Sequence, residues 1–351
     1  MALKRPKGKA GTLVVLEHVS KILKGNPLGD PHVRKVGVWL PPQYDGSGAK
    51  RFPVLYDLVG FTGSGLSHAN WRAFGENLPE RAARLIHEEK MGPAILVLPD
   101  CFTALGGNQY VNSSAIGNYA DYLTREIVPT VDREFRTLAS REHRGCFGKS
   151  SGGYGAIIHG MKYAKSWGAI ADHSGDSYFE FVYGADWPHT LDTLAKYKKK
   201  PNSGKGLDDG RIAQFLKTAW KKEKLSGDEV HCIMNLCMAA TYDPDPRAPN
   251  GFRVPYHLDT GELLPERWRE WRKHDPVNLV FKHKLNLKTL KGIYIDCGWR
   301  DQYRIHYGTR LLSTRLKAAG IKHTYEEFND NHSDIDYRMD VSLPFLYRAL
   351  K

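Results

Sequence analysis

RGCFGKSSGGYGAIIHGMKYA, residues 144–164, passes from a short apolar run through a cluster of glycines into a stretch with helical spacing. A strand that turns sharply into a helix at a glycine-rich corner is half of a βα unit. Gly148-Lys149-Ser150-Ser151-Gly152 fits G-x-S-x-G, the turn that lifts a serine hydroxyl above the C-terminal edge of a sheet. Strand and helix crowd each other there, so the positions two before and two after the serine must be small. Ser150 meets this condition with Gly148 and Gly152, whereas Ser151 would force Lys149 into the corner. Ser150 is therefore the candidate nucleophile, with Ser151 offering a backbone N–H. The rival use of such glycines, a phosphate loop, requires G-x-x-x-x-G-K-[ST], which this stretch does not match.

Outward from this corner, apolar runs recur: RKVGVWL (34–40), PVLYDLVG (53–60), AILVLP (94–99), GAIADH (168–173), GIYIDCG (292–298) and HTYEEF (323–328). Several are apolar throughout, as central parallel strands covered on both faces are. Between them lie stretches with helical spacing: 70–89, 117–135, 154–164, 307–320 and a C-terminal DYRMDVSLPFLYRAL. The alternation predicts a mostly parallel central sheet flanked by helices. About 120 residues separate His173 from Gly292, where one βα crossover takes roughly 30. The surplus predicts a helical cap inserted at 179–290 within a single domain, with KPNSGKG (200–206) as an exposed loop.

The chain has 351 residues and a net charge of +12. Nothing approaches the roughly 18 uninterrupted apolar residues of a membrane span. The basic N-terminus lacks the apolar core and cleavage site of a secretory signal, so a cytoplasmic protein is expected. Five scattered cysteines without a C-x-x-C pair suggest buried thiols rather than a disulfide framework or zinc site. Between Ala195 and Lys224, ten Lys/Arg face only Asp208, Asp209 and Glu223. Such a run is ordinarily a solvated face, and no nucleic-acid signature accompanies it, so nucleic acid is disfavoured as a partner. The acidic stretches DNHSDID and YDPDP match neither an EF-hand nor H-E-x-x-H, so no metal is expected.

An activated serine needs a base and an acid that orients the base, in the chain order Ser, acid, His. His306, His323 and His332 are late enough; only His332, in FNDNHSDID after the last strand, sits where a loop would hang it over the sheet edge. For the acid, Asp301 lies in the loop after Gly298 and is preferred to Asp296, inside the strand, and to Asp176. An oxyanion needs backbone donors. Ser151 supplies one, and LVGFTGSG (58–65) the other, from Phe61 or the adjacent Thr62.

With these residues in place, the sequence resembles the esterase branch of the α/β hydrolases that includes esterase D (S-formylglutathione hydrolase), enterochelin esterases, feruloyl esterases and mycolyl transferases. The elbow GKSSGG, the oxyanion stretch LVGFT, the strand end IDCGWRDQY and the loop DNHS carry the resemblance, in order and over almost the whole chain. It implies an α/β hydrolase fold, Ser150 as nucleophile, Asp301 as acid, His332 as base and Phe61 with Ser151 as the oxyanion pair, working without a cofactor on a small-molecule ester. Lys149 stands where relatives carry an uncharged residue or His, which points to an anionic ester. Lys149, Thr62, Trp71 and Asp176 are the expected substrate-binding residues. PDCFTALGGNQYVNSSAIGNY (99–119) departs from esterase D. An acyltransferase or thioesterase using the same acyl-serine, and a polyanion-binding module on this scaffold, are the alternatives; a homo-oligomer is left open.

Overall fold

A computed structural model describes residues 8–200 and 207–351. KPNSGKG beyond Lys200 therefore lies outside the described residues. Ten strands are present among them: β1 (Thr12–Val19), β2 (Val33–Leu40), β3 (Val54–Leu58), β4 (Ile95–Pro99), a small hairpin of β5 (Asn112–Ser113) and β6 (Gly117–Asn118), then β7 (Arg144–Lys149), β8 (Ala169–His173), β9 (Gly292–Gly298) and β10 (Thr324–Phe328). Eight form one sheet in the order β1-β2-β4-β3-β7-β8-β9-β10. Only β2 runs against the rest of this sheet, pairing antiparallel with both neighbours, while β4, β3, β7, β8, β9 and β10 are mutually parallel.

The inner strands are buried throughout, apart from Lys149 at the end of β7, because both faces are covered. Side chains alternate between faces. Val54, Tyr56 and Leu58 of β3 join one core with the helix Ser151–Lys162 and much of the 179–290 interval, while Leu55 joins a second core with the helices Leu78–His87 and Met339–Leu350. Leu55 and Leu96 are fully buried, and truncating such a leucine costs about 2–5 kcal/mol.

Three expectations need correction. β1, TLVVLEHV, was not among the expected strands: it is a half-exposed edge held by pairing to β2 rather than by burial. The helix expected from residue 70 begins at Leu78, because Asn77 caps it: its side chain accepts from the Glu80 N–H (2.8 Å) and Glu80 returns a bond to the Asn77 N–H (3.0 Å). The 117–135 stretch is helical but π-wound over Tyr122–Ile127, with the Val128 N–H reaching back to Leu123 just before Pro129, which has no N–H to continue the ladder.

Between β8 and β9 lie seven helices among the described residues. The longest, Gly227–Tyr242, starts from a Ser226/Glu229 capping box. This interval shares its core with the sheet: Phe179, Tyr183, Tyr242 and Trp271 pack edge-on or tilted in a cluster that includes Tyr154 of the helix Ser151–Lys162, with Phe179–Tyr242 centroids at 4.9 Å and Tyr154–Tyr242 at 5.8 Å. Asn286 donates to the Met161 carbonyl at 2.7 Å, fastening the end of the interval to the same helix. Part of its excess charge is paired internally, by Arg211 with Asp209 and Asp259 and by Lys222 with Glu229. All five cysteines are buried and free. No helix among the described residues is long and apolar enough to cross a membrane.

Candidate active site

The chain leaves β3 for β4 through a helix on one face and reaches β7, on the other side of β3, through a helix on the opposite face. Such a reversal opens a crevice at the carboxyl ends of the strands. The loops after β3 and β7 meet there.

At the end of β7, Ser150 has φ 59° and ψ −124°, a conformation that non-glycine residues rarely adopt. Packing imposes it. A Cβ on Gly152 would lie 1.7 Å from the Leu58 carbonyl oxygen, and one on Gly148 would lie 2.1 Å from the same atom and 2.6 Å from the Gly152 carbonyl carbon. The two glycines let β3, β7 and the following helix close on one another, and the chain can only turn outward at Ser150. The Ser150 N–H donates to the His173 carbonyl (3.0 Å), which anchors the turn to β8. The helix Ser151–Lys162 begins at the next residue, so its positive end lies beside the serine.

β9 ends at Gly298, and the loop beyond it carries Asp301; β10 ends at Phe328, and the loop beyond it carries His332. His332 Nδ1 and Asp301 Oδ2 are 2.7 Å apart, both residues being buried. Asp301 Oδ1 accepts from the Tyr303 N–H (2.9 Å), which gives the carboxylate a second bond, and the His332 backbone N–H donates to Gln302 Oε1 (2.9 Å), which anchors the loop that carries the imidazole. A carboxylate on Nδ1 selects the tautomer that leaves Nε2 as the basic atom. Ser150 and His332 line one cavity of about 330 Å³. The Ser150 hydroxyl makes no hydrogen bond among the described residues; in such sites the serine–histidine bond commonly tightens only when substrate binds.

Phe61 and Thr62 line the same cavity. The Gly60 carbonyl is tied to the Gly63 N–H (3.1 Å), so in the planar trans peptide the Phe61 N–H points the opposite way, and it meets no acceptor among the described residues. The Val59 and Phe61 carbonyls are drawn back by Tyr110 OH (2.6 Å) and Gly107 N–H (2.6 Å). A Cβ on Gly60 would sit 3.6 Å from Ser150 Cβ, which measures how closely the two loops approach. The segment 99–119, noted for its departure from esterase D, is thus the support of this loop. It also supplies Gln109, which donates to Ser151 Oγ (2.8 Å) and to Asp176 (3.2 Å).

The other expected residues divide. Asp176 lines the cavity, where burial raises its carboxyl above the usual range even though Tyr183 OH donates to it at 2.7 Å. Lys149 also lines the cavity, but its charge is shared: despite burial, Lys149, His68 and Arg72 hold the Asp336 carboxyl below its ordinary value. Trp71 is a correction. It is 66% exposed and lies outside the cavity lining, because the loop that carries it runs over the surface where a helix was expected. Asp296 is engaged elsewhere, with His173 (2.6 Å) and Arg338 (2.8 Å), away from His332. His306 and His323 do not line the cavity; His323 bonds to Ser313 and the Ile321 carbonyl.

The remaining wall was not anticipated. Val230, His231 and Met234 come from one face of the helix Gly227–Tyr242, and Tyr303 from the loop after β9. Tyr303 stood within IDCGWRDQY and could have been read; nothing in the sequence marked His231.

A sheet of this order, with a serine at a strained elbow and an acid–histidine pair on later loops, defines an α/β hydrolase. The family described as "Putative esterase" matches residues 31–342, and the chain belongs to it. Esterase Rv1288 of Mycobacterium tuberculosis is 32% identical over 155 residues, covering 42% of this chain and 30% of that protein, so the chain matches less than a third of its relative's length. Among solved structures, a ferulic acid esterase superposes with a TM-score of 0.60 at 17% identity, covering 97% of this chain and 98% of that one. An S-formylglutathione hydrolase from Agrobacterium tumefaciens gives 0.56 at 17% identity, covering 99% of each chain. A fluorophosphonate-binding serine hydrolase from Staphylococcus aureus gives 0.56 at 14%, covering 96% of this chain and 98% of that one. At these identities the likeness is one of fold.

Proposed function

We propose that the protein is a carboxylic-ester hydrolase that works through an acyl-serine. The observation that carries this reading is the convergence on one cavity of the Ser150 elbow, the Asp301–His332 pair at 2.7 Å and the unpaired Phe61 N–H. Ser150 Oγ attacks the ester carbonyl while His332 Nε2 takes its proton, and Asp301 stabilises the resulting imidazolium. The tetrahedral oxyanion is received by the N–H groups of Phe61 and Ser151 at the positive end of the helix. His332 then gives its proton to the departing alcohol, and a water activated by the same histidine releases the acid. Membership of the esterase family supports a small-molecule ester as substrate. Adding an alcohol acceptor to the assay distinguishes hydrolysis from acyl transfer by its products.

The test is hydrolysis of p-nitrophenyl esters from acetate to long acyl chains, together with labelling by a fluorophosphonate. Ser150→Ala is expected to abolish labelling and to lower kcat by at least about 10³-fold. Full esterase activity in Ser150→Ala would overturn the assignment.

A further inference from the structure

The cavity holds a second imidazole–carboxylate pair. His231 projects from the helix Gly227–Tyr242 into the lining, and its Nδ1 lies 3.2 Å from Asp186 Oδ1 and 3.3 Å from Oδ2. Asp186 is itself held, since Asn235 one turn along the same helix donates to its Oδ2 at 2.9 Å. A carboxylate can only accept, so Nδ1 is the protonated nitrogen and Nε2 is left without a partner among the described residues. The ring stacks on Tyr303 at 5.8 Å and 24°, and Tyr303 packs edge-on against His332 at 4.9 Å and 75°. His231 is thus one aromatic ring away from the base, and it lines the cavity together with the apolar Val230 and Met234 of its own helix.

We infer that His231, held by Asp186, is a specificity-determining residue that binds a carboxylate on the substrate, at the end of a short chain leading from the scissile carbonyl. This rests on the esterase reading and narrows its substrate class to half-esters of dicarboxylic acids or similar anionic esters. The apolar side chains next to His231 suit the intervening methylenes, and a charged imidazolium with one nitrogen already paired offers the other as a charge-assisted donor. The neighbouring groups favour that charge: Asp186, and Asp228 on its own helix, outweigh partial burial and raise the His231 pKa above its ordinary 6.5. Tyr303 faces the ring from the loop after β9, and Lys149, Asp176, Tyr183, His332 and Asp334 complete the ionisable groups of the cavity lining.

Two arms test this. In the first, kcat/KM for p-nitrophenyl hydrogen glutarate is divided by that for p-nitrophenyl pentanoate, an uncharged ester of equal chain length, across pH. The base His332 serves both esters alike, so its contribution cancels in the ratio. The ratio is expected to be high while His231 is protonated, to fall as pH rises through its raised pKa, and to drop about tenfold in His231→Gln. In Asp186→Asn the fall should move to lower pH, which neither a lost fold nor an effect of Lys149 would produce. The second arm needs no turnover: Kd values of monomethyl glutarate and methyl pentanoate are compared by NMR in Ser150→Ala and in Ser150→Ala/His231→Gln. A glutarate preference that vanishes with His231 supports the inference, and one unaffected by His231 overturns it. Failure of the wild type to turn over either ester would count against the esterase reading alone, since the binding arm still decides the role of His231.

Discussion

Two Ser/His/Asp constellations among the described residues differ in what they leave open. Ser342, His173 and Asp296 form an unbroken chain: His173 Nε2 to Ser342 Oγ at 2.7 Å, His173 Nδ1 to Asp296 Oδ1 at 2.6 Å, with Arg338 and Tyr294 OH on the remaining oxygen at 2.8 and 3.0 Å. All three are buried, and Ser342 lies within the helix Met339–Leu350 rather than at a turn. Ser150, His332 and Asp301 instead share a cavity; the serine is at a strained turn, and its hydroxyl is unbonded. Residue types and short hydrogen bonds are common to both. Completed bonding makes the first a brace between the last helix and the sheet, whereas access, strain and adjacent backbone donors are what the proposed function asks of the second.

The sharpest way to break this comparison is to make the same substitution in each. Asp301→Asn should keep the fold and lower kcat on the order of 10³–10⁴-fold, because the amide favours the wrong imidazole tautomer. Asp296→Asn should do the reverse. It removes the charge that Arg338 faces in a buried setting, with an expected loss of about 3–5 kcal/mol in denaturant unfolding and a kcat close to wild type in the protein that remains folded. Equal kinetic losses from both would erase the distinction.

A smaller effect is expected beside the elbow. Burial raises the Asp172 carboxyl to about 7, and its Oδ2 has no partner although Oδ1 accepts from the Gly175 N–H at 2.8 Å. The folded state therefore keeps a proton that the unfolded chain releases near the ordinary 3.8, so stability is lost as pH rises from about 4 through about 7. Asp172→Asn should flatten that slope and raise the unfolding midpoint at pH 8 relative to wild type, while leaving it little changed near pH 4. The smallest effect belongs to Trp71→Ala: at an exposed position outside the cavity, both stability and kcat/KM should stay near wild type, within about 0.5 kcal/mol and twofold.

How legible each part was followed from where its information lies. Interior strands were readable because burial on both faces demands continuous apolar residues, as in VLYDL and ILVLP. The edge strand β1 was not, since its order comes from a ladder to β2 that leaves half its side chains in solvent. Residues 70–77 carried a helical pattern that the Asn77 cap overrules. The sharp turn at Ser150 was readable because a steric rule acts over five consecutive residues, and the pairing of Asp301 with His332 because each follows a strand end at which loops gather.

The sequence by itself determined the alternation of strand and helix, the elbow at Ser150 and the loops able to bring an acid and a histidine to it, for these depend on local sterics and on short-range periodicity. Only the tertiary structure decided that Asp296 belongs to a buried brace, that Lys149 shares its charge with Asp336, and that His231 joins the cavity from more than a hundred residues away in sequence from His332. Hydrogen bonding and electrostatics between side chains depend on distances of a few ångströms, and the spacing of residues along a chain does not specify those distances until the sheet, its crossovers and the long interval between β8 and β9 have packed.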